Sequence, residues 1–227
     1  MFRRISLLAV LTAAGLALAA PSGAAAATNL GETFTPSPTL CNLTNLQTTS
    51  PNGQYTVPFA GVITSWSYQA LASPPNVNFK VGRSAGGNSF TIVGESGPTI
   101  PTAGILNTRT TRISVNAGDV IGIYGNAEGT CTIAGGYTAH SASGDRLLGD
   151  TTTYALEPSR KLNVAATLEA DSDKDGFGDE TQDQCATSGS TQGACPVTPA
   201  TPAKKKKCKK KKKRAAFTAK KKCKKKK

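Results

Sequence analysis

Between Gly53 and Leu168 apolar residues alternate with polar ones in short runs, and Gly, Pro, Asn and Ser separate the runs. A period of two belongs to strands with one face buried and one face wet. Val77, Phe79 and Val81 alternate in this way, as do Phe90 with Ile92, Ile113 with Val115, and Leu162, Val164, Ala166 and Leu168. Trp66 and Tyr68 fall on one strand face with Val62, which places them in a core. The run from Asp119 to Tyr124 is apolar on both faces and predicts a central strand, entered through the turn Asn116-Ala-Gly-Asp119. Gly94-Glu-Ser-Gly97 reads as a hairpin turn. Roughly eight to ten strands at this spacing, with no long amphipathic helix, predict an all-β chain: a single antiparallel β-sandwich of jelly-roll or immunoglobulin-like kind over residues 28–168.

Before this region lies a secretory leader. Arg3 and Arg4 precede the apolar run Ile5 to Ala20, and Ala25-Ala26-Ala27 supplies the small residues a signal peptidase needs. Residues 1–27 are therefore expected to be removed, leaving Thr28 at the start of the mature chain. The expected location is secreted or extracellular, in association with the cell envelope, with no transmembrane segment in the mature chain.

Composition changes the picture mainly through charge. The formal net charge is +13, yet residues 204–227 hold 17 of the 27 basic residues and no acidic one. The rest of the mature chain is mildly acidic. A polycation of this density bears too few apolar groups to form a core, so the tail is expected to be disordered until it meets a polyanion. Anionic envelope polymers are the expected partners, bound without sequence preference and with strong salt dependence. Only Phe217 is available in the tail to stack on a base, which argues against specific nucleic-acid recognition. A Pro-rich linker, residues 197–203, joins the tail to the body as an extended spacer.

Six cysteines in an exported chain are read as disulfides. Six admit 15 pairings. Proximity suggests Cys41 with Cys131, Cys185 with Cys195, and Cys208 with Cys223.

The strongest chemical signal is the segment Asp171-Ser-Asp-Lys-Asp-Gly-Phe-Gly-Asp179. Asp171, Asp173 and Asp175 place carboxylates at alternate positions, Gly176 permits a sharp turn, and Asp179 and Asp183 follow. A hard cation such as Ca2+ takes six to eight oxygens, and a short loop wrapped round it directs alternate side chains inward. Phe177 is placed to offer its backbone carbonyl. An EF-hand would require a bidentate Glu at the twelfth position, where Gln182 stands, and a preceding helix, where residues 162–168 have strand periodicity. From Asp171 to Cys195 the chain instead resembles a thrombospondin type 3 repeat, through Asp171, Asp173, Asp175, Gly176, Asp179, Asp183 and Cys185. The resemblance implies a calcium-binding segment over residues 169–196 with little regular secondary structure, pinned by disulfides, in which the five aspartates and Phe177 hold the metal.

Catalytic constellations are not apparent. The only histidine, His140, is followed by Ser141, Ser143 and Asp145, and is expected to be a loop residue because a triad is assembled across a fold. There is no nucleophile elbow, no His-Glu-x-x-His and no phosphate-binding glycine loop. The expected function is a non-enzymatic calcium-binding structural or adhesion protein, secreted or held at the cell surface by its tail. The alternative is a carbohydrate-binding module or glycan-active hydrolase, which requires Glu95, Asp119, Asp145 and Glu157 to pair, or Trp66, Tyr68, Tyr124, Tyr137 and Tyr154 to form an exposed platform. On either reading a carbohydrate or protein ligand on the sandwich is a candidate partner, and a third reading makes the sandwich an adhesive domain for a protein.

Overall fold

Short alternating runs become eleven strands, and no α-helix occurs among the described residues. The computed structural model describes residues 26–37, 42–74, 76–126 and 132–197. Its strands are β1 (Thr28–Glu32), β2 (Leu43–Thr49), β3 (Gly61–Gln69), β4 (Val77–Gly86), β5 (Ser89–Glu95), β6 (Leu106–Val115), β7 (Val120–Gly125), β8 (Thr132–Ser143), β9 (Thr151–Thr153), β10 (Ala155–Leu162) and β11 (Val164–Glu169). They form two antiparallel sheets, one ordered β1-β11-β3-β6 and the other β10-β8-β2-β7-β4-β5-β9. The architecture is all-β and consistent with a β-sandwich.

The main core lies between the sheets. Leu30, Ile63, Trp66, Tyr68, Ile113, Val164, Ala166 and Leu168 come from the four-stranded sheet. Val77, Phe79, Val81, Ile121, Ile123 and Ala139 come from the seven-stranded one. Trp66 stacks on Phe79 across the interface, with ring centroids 5.7 Å apart and planes 19° apart.

The reason β7 is apolar on both faces lies behind this core. Ile121 and Ile123 enter the main core, while Val120 joins a second cluster with Leu46, Phe90, Ile92, Ala142 and Tyr154. This second cluster is enclosed because the larger sheet coils. In that sheet β2, β7 and β4 separate β8 from β5, a span of about 19 Å if the sheet were flat. Yet His140 on β8 lies 5.2 Å, centroid to centroid, from Phe90 on β5. Close packing over the cluster requires a missing side chain at Gly122: a Cβ there would lie 2.0 Å from the Asn45 carbonyl oxygen and 2.8 Å from Leu46 Cδ2.

Two expectations require correction. Gly94 and Glu95 are not turn residues but the end of β5, and the β4–β5 hairpin turns instead at Gly86 and Gly87, both with positive φ. Gly94 is needed in the strand because a Cβ there would lie 2.3 Å from Ile113 Cγ2 of the opposite sheet. His140 is not in a loop but within β8, and is 7% exposed.

The described residues through Cys195 form one compact unit, so the acidic segment and the sheets belong together. Of the second unit, Pro196–Lys227, only Pro196 and Val197 are described. The hydrophobic part of the leader, the Cys41–Cys131 and Cys208–Cys223 pairings, and the lysine tail lie outside the described residues, as does all of the Pro-rich linker but its first residue. No described helix is long and apolar enough to cross a membrane.

Candidate metal site

The last strand delivers the chain directly into the acidic loop. Glu169, at the end of β11, is 0% exposed and points its carboxylate at the loop. Its Oε1 accepts hydrogen bonds from Thr64 Oγ1 (2.8 Å) and Thr181 Oγ1 (2.7 Å), and its Oε2 accepts from the backbone N–H groups of Glu180 (3.0 Å) and Thr181 (2.9 Å). Burial alone would raise the Glu169 pKa, but the bonds from Thr181, Thr64 and Glu180 outweigh it and hold the carboxyl below its usual range. Gly178 is what lets the loop come so close, since a Cβ there would lie 2.5 Å from both Glu169 Oε2 and Thr64 Cγ2.

Within the loop, Lys174 and Gly176 take positive φ values of 63° and 85°, which folds Asp171, Asp173 and Asp175 round one point. One carboxylate oxygen from each lies within 4.8 Å of the others. Asp171 is held by the N–H groups of Asp175 and Gly176, both at 3.0 Å. Asp175 accepts from Phe177 N–H (2.9 Å) and from Gln192 Nε2 (2.9 Å).

Asp173 and Asp183 are different. Both carboxylate oxygens of Asp173 are closed off from solvent without a well-formed hydrogen bond, as is Oδ2 of Asp183, a residue only 4% exposed. Asp183 Oδ1 accepts from Cys185 N–H at 2.8 Å. Desolvation, with the charges of Asp175 and Asp183, pushes the Asp173 pKa up; the N–H groups of Asp175 and Ser188 only partly oppose it. Buried carboxylate oxygens without donors are costly unless a cation meets them. The donor set, all hard oxygen with orphaned lone pairs facing a shared negative field, fits Ca2+ in kind.

Asp179 and the Phe177 side chain make contacts of their own. Asp179 accepts from the Ser172 backbone N–H (3.1 and 3.2 Å) and Ser172 Oγ (2.6 Å), closing the loop on itself. The Phe177 ring lies under the Arg112 guanidinium of β6, 4.1 Å from the ring centroid. Gln182, at the position where an EF-hand would carry Glu, donates from Nε2 to the Thr111 carbonyl (2.8 Å) and so ties the loop to β6.

The Cys185–Cys195 disulfide is present, as proximity suggested. It folds the following segment back: Gln184 N–H donates to the Gln192 carbonyl (2.9 Å), and Gln192 in turn reaches Asp175. Sequence reasoning missed Glu169, Ser172 and Gln192. None carries a pattern of its own, since each acts by meeting a residue of the motif from outside it.

The other acidic candidates do not converge as a set of four. Asp119 is buried in a bidentate pair with Arg83, at 2.7 and 2.8 Å. Glu157 accepts from Ser141 Oγ (2.9 Å) and pairs with Arg160 (3.2 Å). Glu95 and Asp145 do meet, on either side of Lys80, at 2.5 and 2.6 Å from its Nζ. Trp66, Tyr68 and Tyr154 are buried, and Tyr124 and Tyr137 are half-buried. His140 Nδ1 meets Thr48 Oγ1 (2.8 Å) and Nε2 meets Asn88 Oδ1 (3.2 Å), whereas Ser141 is engaged with Glu157. Comparison with protein-family models, with curated proteins and with solved structures finds no match.

Proposed function

We propose that this chain is an exported calcium-binding structural or adhesion protein, held at anionic envelope polymers by its lysine tail. The observation that carries the metal reading is that both carboxylate oxygens of Asp173, and Oδ2 of Asp183, are closed off from solvent without a well-formed hydrogen bond, with Asp171 and Asp175 grouped round Asp173. A bound Ca2+ would supply the missing positive charge. Asp171, Asp173, Asp175 and Asp183 would hold it with the Phe177 carbonyl, while Asp179 keeps the loop closed through Ser172. Affinity in the extracellular range, about 10⁻⁴ to 10⁻³ M, suits four carboxylates on a loop that is already folded onto its sheet.

Because the site rests on β11 through Glu169 and on β6 through Gln182, calcium would stiffen the end of the sandwich from which the linker leaves. The tail supports the tether reading through charge density alone, 17 basic residues in the segment 204–227. Millimolar calcium should raise the thermal unfolding temperature of the mature protein, and an Asp173→Asn, Asp183→Asn double variant should lose that rise. An unfolding temperature indifferent to saturating calcium would remove the basis for the metal reading.

A further inference from the structure

Lys80 is the most deeply buried charged group of the seven-stranded sheet. It is 0% exposed, at the middle of β4, on the face away from the main core. Lysine is almost never buried so completely without partners, and here it has two. Its rung partner across the β4–β5 ladder is Glu95, whose Oε2 lies 2.5 Å from Nζ and also accepts from Asn78 Nδ2 at 3.1 Å. Its second partner is Asp145, just beyond β8, whose Oδ1 lies 2.6 Å from Nζ.

Asp145 is held from both sides. Thr44 Oγ1 donates to the carbonyl of Gly144 (2.8 Å) and accepts from the N–H of Arg146 (2.9 Å), so one buried hydroxyl pins the backbone before and after the aspartate. Asp145 Oδ1 is buried and finds no partner besides Lys80. The row that carries Lys80 runs through Gly122 to Leu46 of the second core cluster, so the amine shares its face with an apolar patch. An amine, a carboxyl group aimed at it, and a second carboxylate in contact with the same amine are the parts needed to form an amide.

We propose that Lys80 and Asp145 become joined by an isopeptide bond, with Glu95 as the proton carrier. The step starts from the free amine of Lys80 and the acid form of Asp145. Nζ attacks Asp145 Cγ, the Nζ–Cγ bond forms, and Glu95 takes a proton from Nζ. Glu95 then delivers that proton to the departing hydroxyl, the Cγ–OH bond breaks, and one water leaves. Amine and acid give amide and water, with no oxidant, metal or activating group. In bulk water this condensation runs uphill, but burial changes the comparison. The alternative here is an ion pair that has paid for desolvation, and the amide replaces both charges with a neutral group whose N–H can donate to Glu95. Asp145 rather than Glu95 is the electrophile, because Glu95 is already engaged by Asn78 and sits in position to take the proton.

The product would tie β4 to the turn after β8, two segments distant in sequence that the coiled sheet brings together. It would lock the coil closed in the way a disulfide does, without redox sensitivity.

Intact mass of the full mature chain, reduced and denatured, tests the proposal, followed by tryptic mapping. The expected result is a mass one water below that of the sequence and a branched peptide joining Lys80 to Asp145. A full-mass chain overturns the proposal. A mass loss without the branch, as a succinimide at Asp175-Gly176 would give, overturns it too, and a branch to Glu95 overturns Asp145 as the electrophile. Glu95→Gln should give a folded chain of full mass; loss of water in that variant would contradict the role of Glu95. Asp145→Asn should form the same branch with loss of ammonia in place of water, and Asp145→Ala should form none.

Discussion

At the scale of single residues, His140 shows how burial alone makes a chain sensitive to pH. Nε2 meets Asn88 Oδ1 and Nδ1 meets Thr48 Oγ1, so both ring nitrogens have polar partners inside the fold. Desolvation holds its pKa below the ordinary 6.5. The unfolded chain therefore takes up the proton first as pH falls, and the folded state loses stability from about pH 6.5 downward toward the lower folded value. Urea unfolding midpoints measured between neutral and mildly acidic pH should fall for the wild type, and this part of the fall should be absent in His140→Asn. Glu169 offers a second test. Replacing it by Gln puts an amide nitrogen against one set of its donors, at Thr181 and Glu180 or at Thr64 and Thr181, and should cost about 2–3 kcal/mol in chemical unfolding. A cost near zero would mean that the loop does not depend on this anchor.

At the scale of elements, the acidic loop works as a unit with the disulfide segment behind it. Gln192 reaches Asp175 from the segment closed by the Cys185–Cys195 bridge, so on the proposed calcium reading it would be an outer partner to a metal ligand. Removing such a partner commonly costs tenfold or more in metal affinity. Gln192→Ala should therefore weaken calcium binding by about tenfold with an unchanged far-ultraviolet spectrum. Gly178→Ala drives a methyl group into Glu169 and Thr64, and should destabilise the protein by about 1–3 kcal/mol as judged by thermal unfolding. The aspartate spacing was legible because positions 171, 173 and 175 are local, and local geometry follows from local sequence. Their supports were not, since Glu169, Gln192 and Gln182 act through tertiary contacts that no spacing encodes. The same holds for the strands. Alternation at Val77, Phe79 and Val81 marks a face that the structure buries, whereas the glycine at 94 looks like a turn and is instead a gap filled by Ile113.

At the scale of the whole molecule, two layers of antiparallel sheet were readable from periodicity, but the coiling of the larger sheet was not. The coil brings Phe90 beside His140, far apart in sequence, and encloses a second core, and no local pattern encodes that contact. The double-sided run at 120–123 was the sequence trace of that second core. Charge segregation predicts how the molecule behaves on a surface. A chain ending at Pro202 should be released from anionic polymers at salt concentrations that leave the full mature chain bound, and the full chain should show a steep dependence on salt. Equal retention of the two would exclude the tail as a tether. The central claim is that the loop from Asp171 to Asp183 holds calcium. Isothermal titration of the mature protein with Ca2+ tests it most directly. The account predicts a single site with dissociation constant of about 10⁻⁴ to 10⁻³ M, lost in Asp173→Asn, Asp183→Asn. Absence of calcium-dependent heat at millimolar Ca2+, or heat that persists in that double variant, would contradict it.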